Sequence, residues 1–136
     1  MTLRKGAGVQ PDESLEILVF ALGNVHCGID GGLVGRMLRL DAAEDEGLAL
    51  HWFHLLLPFG DREVKYRRPL AITLQGTGGE IGLVIDQPYD LRKLSVKAIR
   101  PLPPFFARIT GVQPFWGATV FGEMVILLVD PYRLLK

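Results

Sequence analysis

Leu15-Glu16-Ile17-Leu18-Val19-Phe20-Ala21-Leu22 is the stretch on which the fold turns. It is apolar at nearly every position and rich in β-branched and aromatic residues, the mark of a strand buried on both faces. Gly23-Asn24 follows, a dipeptide that tolerates positive φ and turns a hairpin tightly. Val25-His26-Cys27-Gly28-Ile29 then reads as the returning strand.

Outward from that hairpin the punctuation is frequent. Asp30 is placed to cap a short helical turn over Gly31, Gly32, Leu33 and Val34. Arg36 to Leu40 reads as a strand and Asp41 to Gly47 as an acidic loop; Leu48 to Leu57 reads as strand or helix, with strand favoured, ended by Pro58. Pro69 to Leu74 and Ile81 to Asp86 are strands joined by a turn over Gln75 to Glu80, the clearest hairpin in the chain. Leu94 to Ile99 is a short strand that runs into Arg100-Pro101-Leu102-Pro103-Pro104, where the prolines stop regular pairing. Ile109 to Val112, Gly117 to Phe121 and Met124 to Val129 are further strands. Asp130-Pro131 opens a helical turn over Tyr132 to Lys136, with Asp as cap and Pro at the first helical position. About nine or ten short strands with glycine turns and no long helix predict an all-β barrel or sandwich.

The composition limits what such a domain does. The 136 residues suit one domain, expected over 15–136 behind a polar, flexible tail over 1–14. Fifteen basic and 15 acidic side chains give a formal net charge of zero, without the clustered basic excess of a nucleic-acid binder. The one basic run, Lys65-Tyr66-Arg67-Arg68, lies beside Asp61 and Glu63 and reads as a solvated loop. A single cysteine, Cys27, forms no intramolecular disulfide and fits a reducing compartment. The N-terminus has no signal-peptide core, and Met124 to Val129 is too short to span a bilayer. The expected location is therefore the cytoplasm, without membrane insertion.

Candidate chemistry is sparse. His26, His51 and His54 stand near Cys27, but on a strand the odd spacing of His51 and His54 sends them to opposite faces. No second cysteine or carboxylate stands at ligand spacing, so no metal is expected. His26 and Cys27 are adjacent on a strand and point apart, which argues against a nucleophile and base. Gly76-Thr77-Gly78-Gly79 precedes a strand rather than the helix a phosphate cradle needs. The acidic group Asp41, Glu44, Asp45 and Glu46 does not resemble a calcium loop. No enzyme signature and no cofactor site emerge. Pro101 to Trp116 carries Phe105, Phe106, Phe115 and Trp116, more aromatics than one irregular segment buries comfortably, and any left outside would form a partner-binding patch.

In order along the chain, several of these segments resemble the CheW-like domain of bacterial chemosensory adaptors. Glu16 to Gly23, then Gly28-Ile29-Asp30 and Val34, is similar to its opening strand pair. Ile81 to Asp86 resembles its central hairpin strand, and Ile99-Arg100-Pro101-Leu102-Pro103 its proline-bearing crossover. Ile109-Thr110-Gly111, Met124 to Val129 and Leu134-Leu135 resemble its closing strands and final short helix. The resemblance runs from about Leu15 to Leu135. It implies two small five-stranded SH3-like β-barrels packed together with a short C-terminal helix. It further implies a non-catalytic adaptor or scaffold that joins a histidine kinase's regulatory domain to a chemoreceptor tip. Val34 falls where the family has a receptor-facing apolar residue, and Gly82, Val84 and Asp86 lie on the strand near the groove between barrels. Arg36 and Arg39 flank the first barrel as rim contacts. The plainer readings are core packing for Val34, close backbone approach for Gly82, and solvated surface for the two arginines.

The chain departs from the family in one respect. Members carry a proline-aromatic lead and a Gly-Val-x-Asn-Leu-Arg-Gly signature after the third strand, and Leu40 to Trp52 is too short to hold them. That marks a divergent member with a specialised partner or a lost coupling role. The rival expectations are a standalone β-barrel that binds a small ligand or assembles with itself as a homo-oligomer, and a hydrolase or metalloenzyme, which would need a convergent polar cluster.

Overall fold

Every residue from Ile17 to Phe20 is buried. The structure, a computed structural model, describes residues 13–56, 64–102 and 114–135. In it β1 (Ser14–Leu22) and β2 (Val25–Asp30) form the expected hairpin, with Leu22 opposite Val25 and Gly23 at φ +61° in the turn. β1 lies between β2 and β7 (Asp90–Ser95) in a five-stranded sheet of order β7-β1-β2-β9-β8. Here β8 is Phe115–Phe121 and β9 is Met124–Val129, which runs parallel to β2.

A second sheet has four strands among the described residues, in the order β3-β5-β6-β4. These are β3 (Met37–Arg39), β4 (Leu50–Trp52), β5 (Pro69–Gly76) and β6 (Gly79–Asp86). The β5–β6 hairpin closes on Thr77 and Gly78, with Gly76 opposite Gly79. The two sheets repeat one plan. In each, three neighbouring strands are antiparallel and the third is joined by a parallel fourth: β7·β1·β2·β9 in the first, β3·β5·β6·β4 in the second.

The first sheet closes on itself. Beyond β7 a 3₁₀ turn over Val96–Ala98, capped by Ser95, leads the chain to β8. There the Arg100 N–H donates to the Ala118 carbonyl at 2.8 Å, and the Ala118 N–H returns to Arg100 at 2.9 Å. Gly117 permits that approach, since a Cβ there would stand 3.1 Å from the Arg100 carbonyl oxygen. Ile17, Val19, Leu94, Ile126 and Leu128 fill this barrel. The opposite face of the sheet supplies Leu18, Phe20, Cys27 and Ile29 to a second core, shared with Ile72, Leu74, Leu83 and Ile85 of the other sheet. Phe20 meets Phe53 edge to face at 5.1 Å in that shared core.

Three segments differ from the sequence expectations. The acidic stretch after β3 is not a loop but α1 (Leu40–Asp45), whose Ala43 is buried. Leu, Ala and Glu are good helix formers, Asp41 in the first turn suits the helix dipole, and Gly47 ends the turn at φ +73°. The stretch 48–57, expected as one element with strand favoured over helix, holds both: β4 and the single turn α2 (Phe53–Leu56). Here Phe53 leaves the sheet for the shared core. The strand expected over Leu94–Ile99 begins at Asp90 and ends at Ser95. β7 is exposed along one face, so its charged residues hid it from a reading based on apolarity. The capped turns at Asp30 and Asp130 are present, the latter opening α3 (Pro131–Leu134). The strand expected over Ile109–Val112 lies outside the described residues, as do Phe105, Phe106, Pro58 and all but Glu13 and Ser14 of the expected tail.

Phe20→Ala is expected to lower unfolding free energy by about 3–5 kcal/mol, as for other buried phenylalanines. Val25→Ala, at an exposed position on the same sheet, is expected to change it by less than ~0.5 kcal/mol. Equal, small shifts in denaturant midpoint would mean that the sheets are not joined through Phe20.

Candidate functional site

Of the residues marked out by the sequence, Val34 and Arg36 lie where the chain first crosses from one sheet to the other, Arg39 ends β3, and Gly82, Val84 and Asp86 lie on β6. The crossing begins at Asp30, whose carboxylate accepts the Gly32 N–H at 2.9 Å. Gly31 is set against β1, where a Cβ would stand 3.2 Å from the Glu16 carbonyl oxygen. Val34 is half-buried and packs on the shared core, whereas Leu33 is exposed. The crossing ends on β5: the Gly35 N–H donates to the Thr73 carbonyl at 2.9 Å, and the Thr73 N–H to the Arg36 carbonyl at 2.9 Å. The Arg36 N–H donates to the Thr73 hydroxyl at 2.7 Å.

Arg36 does not stand open to solvent as a simple rim cation. Its guanidinium forks onto two carboxylates. It reaches Glu46, at the C-terminal end of α1, at 2.7 and 3.1 Å, and Glu80 of β6 at 2.6 and 3.2 Å. These bonds hold both carboxyls below the ordinary glutamate range and raise the arginine above its own. The Thr73 hydroxyl also bonds Glu80 and deepens the effect there. Arg39 is 84% exposed at its side chain and pairs with Asp41 at 2.8 Å. Spacing along the chain gave no sign of Glu46, Thr73 or Glu80 as partners of Arg36, since they lie 10, 37 and 44 residues away.

Near this clamp β3 and the start of β5 line an open groove of about 570 Å³. Leu38, Leu40, Pro69 and Leu70 give it apolar walls; Arg39, Asp41 and Arg68 add charge. Asp86 shapes one end, its Oδ1 accepting the N–H groups of Arg68 at 2.7 Å and Gln87 at 3.1 Å. β3 is the last strand of its sheet among the described residues. Gly82 and Val84 are buried and offer a partner no side-chain surface. A Cβ on Gly82 would stand 2.6 Å from Leu50 Cδ2, so its role is to let β4 lie close.

The histidines and the cysteine are separated. Burial pushes the Cys27 thiol up to about 12, so it stays protonated within the shared core. His26 bonds through Nδ1 to the Tyr89 hydroxyl at 2.8 Å. His54 Nδ1 bonds the Tyr66 hydroxyl at 2.9 Å, and Tyr66 packs edge to face on Trp52. Among the described residues no group of three or more His, Cys, Asp or Glu is placed to hold a metal ion. No helix there is long and apolar enough to cross a membrane.

No family model matches the chain. It is 27% identical to the chemotaxis protein CheW of Klebsiella aerogenes, over 89% of this chain and 81% of that protein. The scaffolding protein TtCheW from Thermoanaerobacter tengcongensis superposes with a TM-score of 0.66 at 18% identity, over 87% of this chain and 90% of that one. The chain is similar to CheW proteins in sequence and shares their fold. The stretch expected to be too short for the Asn-Leu-Arg-Gly segment holds α1 and β4, and Glu46, at the C-cap of α1, joins the clamp.

The lowered carboxyls set a sign for pH. The clamp contributes its full stabilisation above the unfolded glutamate value of ~4.3 and loses it as pH falls through the lower folded values of Glu46 and Glu80. Carbon-detected NMR titration is expected to place both carboxyls below the free-glutamate midpoint, and Arg36→Gln to return both towards it. Ordinary midpoints in the unaltered protein would show that the fork is not formed in solution.

Proposed function

We propose that this chain is a CheW-like, non-catalytic adaptor of bacterial chemosensory signalling, residues 15–136 forming the working unit. Its partners are a histidine kinase's regulatory domain, a chemoreceptor tip, or both, and it works in the cytoplasm. The observation that carries this reading is the correspondence of both sheets, in one arrangement, with a solved scaffolding protein over most of either chain. Identity to a chemotaxis CheW over a similar span supports it.

The partner-facing residues we assign are Val34, Arg39 and Asp86, with Arg36 behind them. They surround a crossing and a groove that combine apolar walls with charged borders, as protein interfaces do. Gly82 and Val84 act from beneath, by fixing the strand that carries Asp86. A groove lined by β3 and the start of β5 suits an extended segment or a helix laid along it.

A second reading, self-association, has one observation in its favour. Val25, Val125 and Val120 stand on the neighbouring strands β2, β9 and β8, with Val120 opposite Val125, and are all exposed, at 42%, 53% and 57%. If that row joins two copies, sedimentation gives a dimer that Val125→Lys returns to monomer. A monomer at every concentration removes this reading.

Capture from the source organism's own lysate tests the adaptor reading. The purified domain is expected to retain a chemosensory kinase or a chemoreceptor, and Leu38→Asp, in the groove wall, to reduce that retention several-fold while the fold stays intact. Retention of neither, or undiminished retention by a folded Leu38→Asp protein, would separate the fold from the function or the groove from the interface, respectively.

A further inference from the structure

We infer that Arg36 is a positioning residue, whose forked guanidinium holds the sheet-to-sheet crossing Gly31–Arg36 in the shape that a partner reads. The inference rests on the adaptor reading for what the crossing presents, but not for how it is held.

The crossing is a short irregular segment with one end tied to each sheet. At the first-sheet end the tie is backbone and cap, with Gly31 against Glu16 and Asp30 on Gly32. At the second-sheet end Gly35 and Arg36 both bond to the single residue Thr73, two residues against one as in a β-bulge. The Thr73 hydroxyl is already committed to both the Arg36 N–H and Glu80. Gly35 fits only because it lacks a Cβ, which would stand 2.8 Å from that hydroxyl. These bonds interrupt the regular pairing just ahead of the β3–β5 ladder, and the Arg36 side chain adds a restraint from outside β5. Its fork spans Glu80 on β6 and Glu46 on α1, so the crossing, the helix and the sheet become one polar unit.

That unit sets what faces outward. Leu33 and Met37, at 37% and 48% exposure, flank the half-buried Val34 and the clamped Arg36. If position 36 were free to swing, the apolar side chains on either side of it would lose a fixed relation to each other. A lysine carries the same charge but is a point donor without a planar fork, and it does not satisfy two carboxylates with the same geometry.

Amide hydrogen exchange on the full chain, with lysate capture alongside, decides the matter for Arg36→Gln and Arg36→Lys. Both variants are expected to exchange faster at Gly35 and Thr73, on the order of tenfold, as a local opening would produce. Amides of β1 and β2 should keep their protection, and both variants should capture several-fold less kinase or receptor. Wild-type exchange in Arg36→Lys would overturn the inference, since charge alone would then suffice. Uniformly faster exchange in both sheets would overturn it too, because Arg36 would then serve only overall stability. Local loosening with undiminished capture would show that the partner does not read the crossing, and would overturn it as well. If the unaltered protein captures neither partner, the adaptor reading fails, and the exchange pattern still decides whether Arg36 holds the crossing. Should Arg36→Gln not fold, Glu46→Gln removes one arm of the bracket and is read by the same criteria.

Discussion

The two-sided burial of β1 is the constraint from which the rest of the structure follows. Alternate residues of a strand point to opposite faces, so Ile17 and Val19 cannot share a core with Leu18 and Phe20. Two cores are needed, and the chain builds both: a barrel interior around Ile17 and Val19, and a layer between sheets around Leu18 and Phe20. Slipping β1 by one residue would exchange the two sets and misfill both. Gly28 belongs to the same constraint. It faces Ile17 within the barrel, where a Cβ would collide with Ile17 Cγ2, so β2 lies close only with glycine there. An all-β chain of this length thus gains a large interior without a long helix or a disulfide.

Most of the architecture was legible in the sequence because strand alternation and turn chemistry are local. The β1–β2 and β5–β6 hairpins, the Asp30 and Asp130 caps and the β9 strand each follow from residues within a few positions of one another. The misread segments share a different cause. α1 reads as a loop because four of its neighbouring positions are acidic, yet its one buried face needs only Ala43. β7 is an edge strand with a solvated face, so charges that suggest a loop are what an edge requires. The break between β4 and α2 depends on where Phe53 finds its partner Phe20, 33 positions earlier, and no local signal records that.

The candidate site was less legible, for a related reason. Val34 and Arg36 follow from order along the chain, but the chemistry of Arg36 is set by Glu46, Thr73 and Glu80, which only the fold assembles. Read alone, Arg36 is a surface cation; in place it is paired with two carboxylates, and Arg39, itself paired with Asp41, and Arg68 are left as exposed positive groups on this side. Gly82 and Val84 illustrate the converse. Their position on the central strand is correct, but burial turns them from partner-facing groups into supports.

The two crossings between the sheets are held by different means, and the difference bears on how such a domain works. The return crossing, from β6 to β7, is tied by Tyr89. Its N–H donates to the Val19 carbonyl at 3.0 Å, and its hydroxyl lies between His26 Nδ1 and the Met124 sulfur. Those bonds involve no ion pair and no second element that lies outside the first sheet. The outgoing crossing carries an ion-pair bracket instead: the Arg36 guanidinium spans Glu80 of β6 and Glu46 at the C-terminal end of α1. A carboxylate at the end of a short helix can meet a fork whose other arm is anchored on β6, so the crossing, the helix and the strand are fixed against one another. With the fork committed to these two carboxylates, the outward face passes to the apolar side chains of the crossing and to β3.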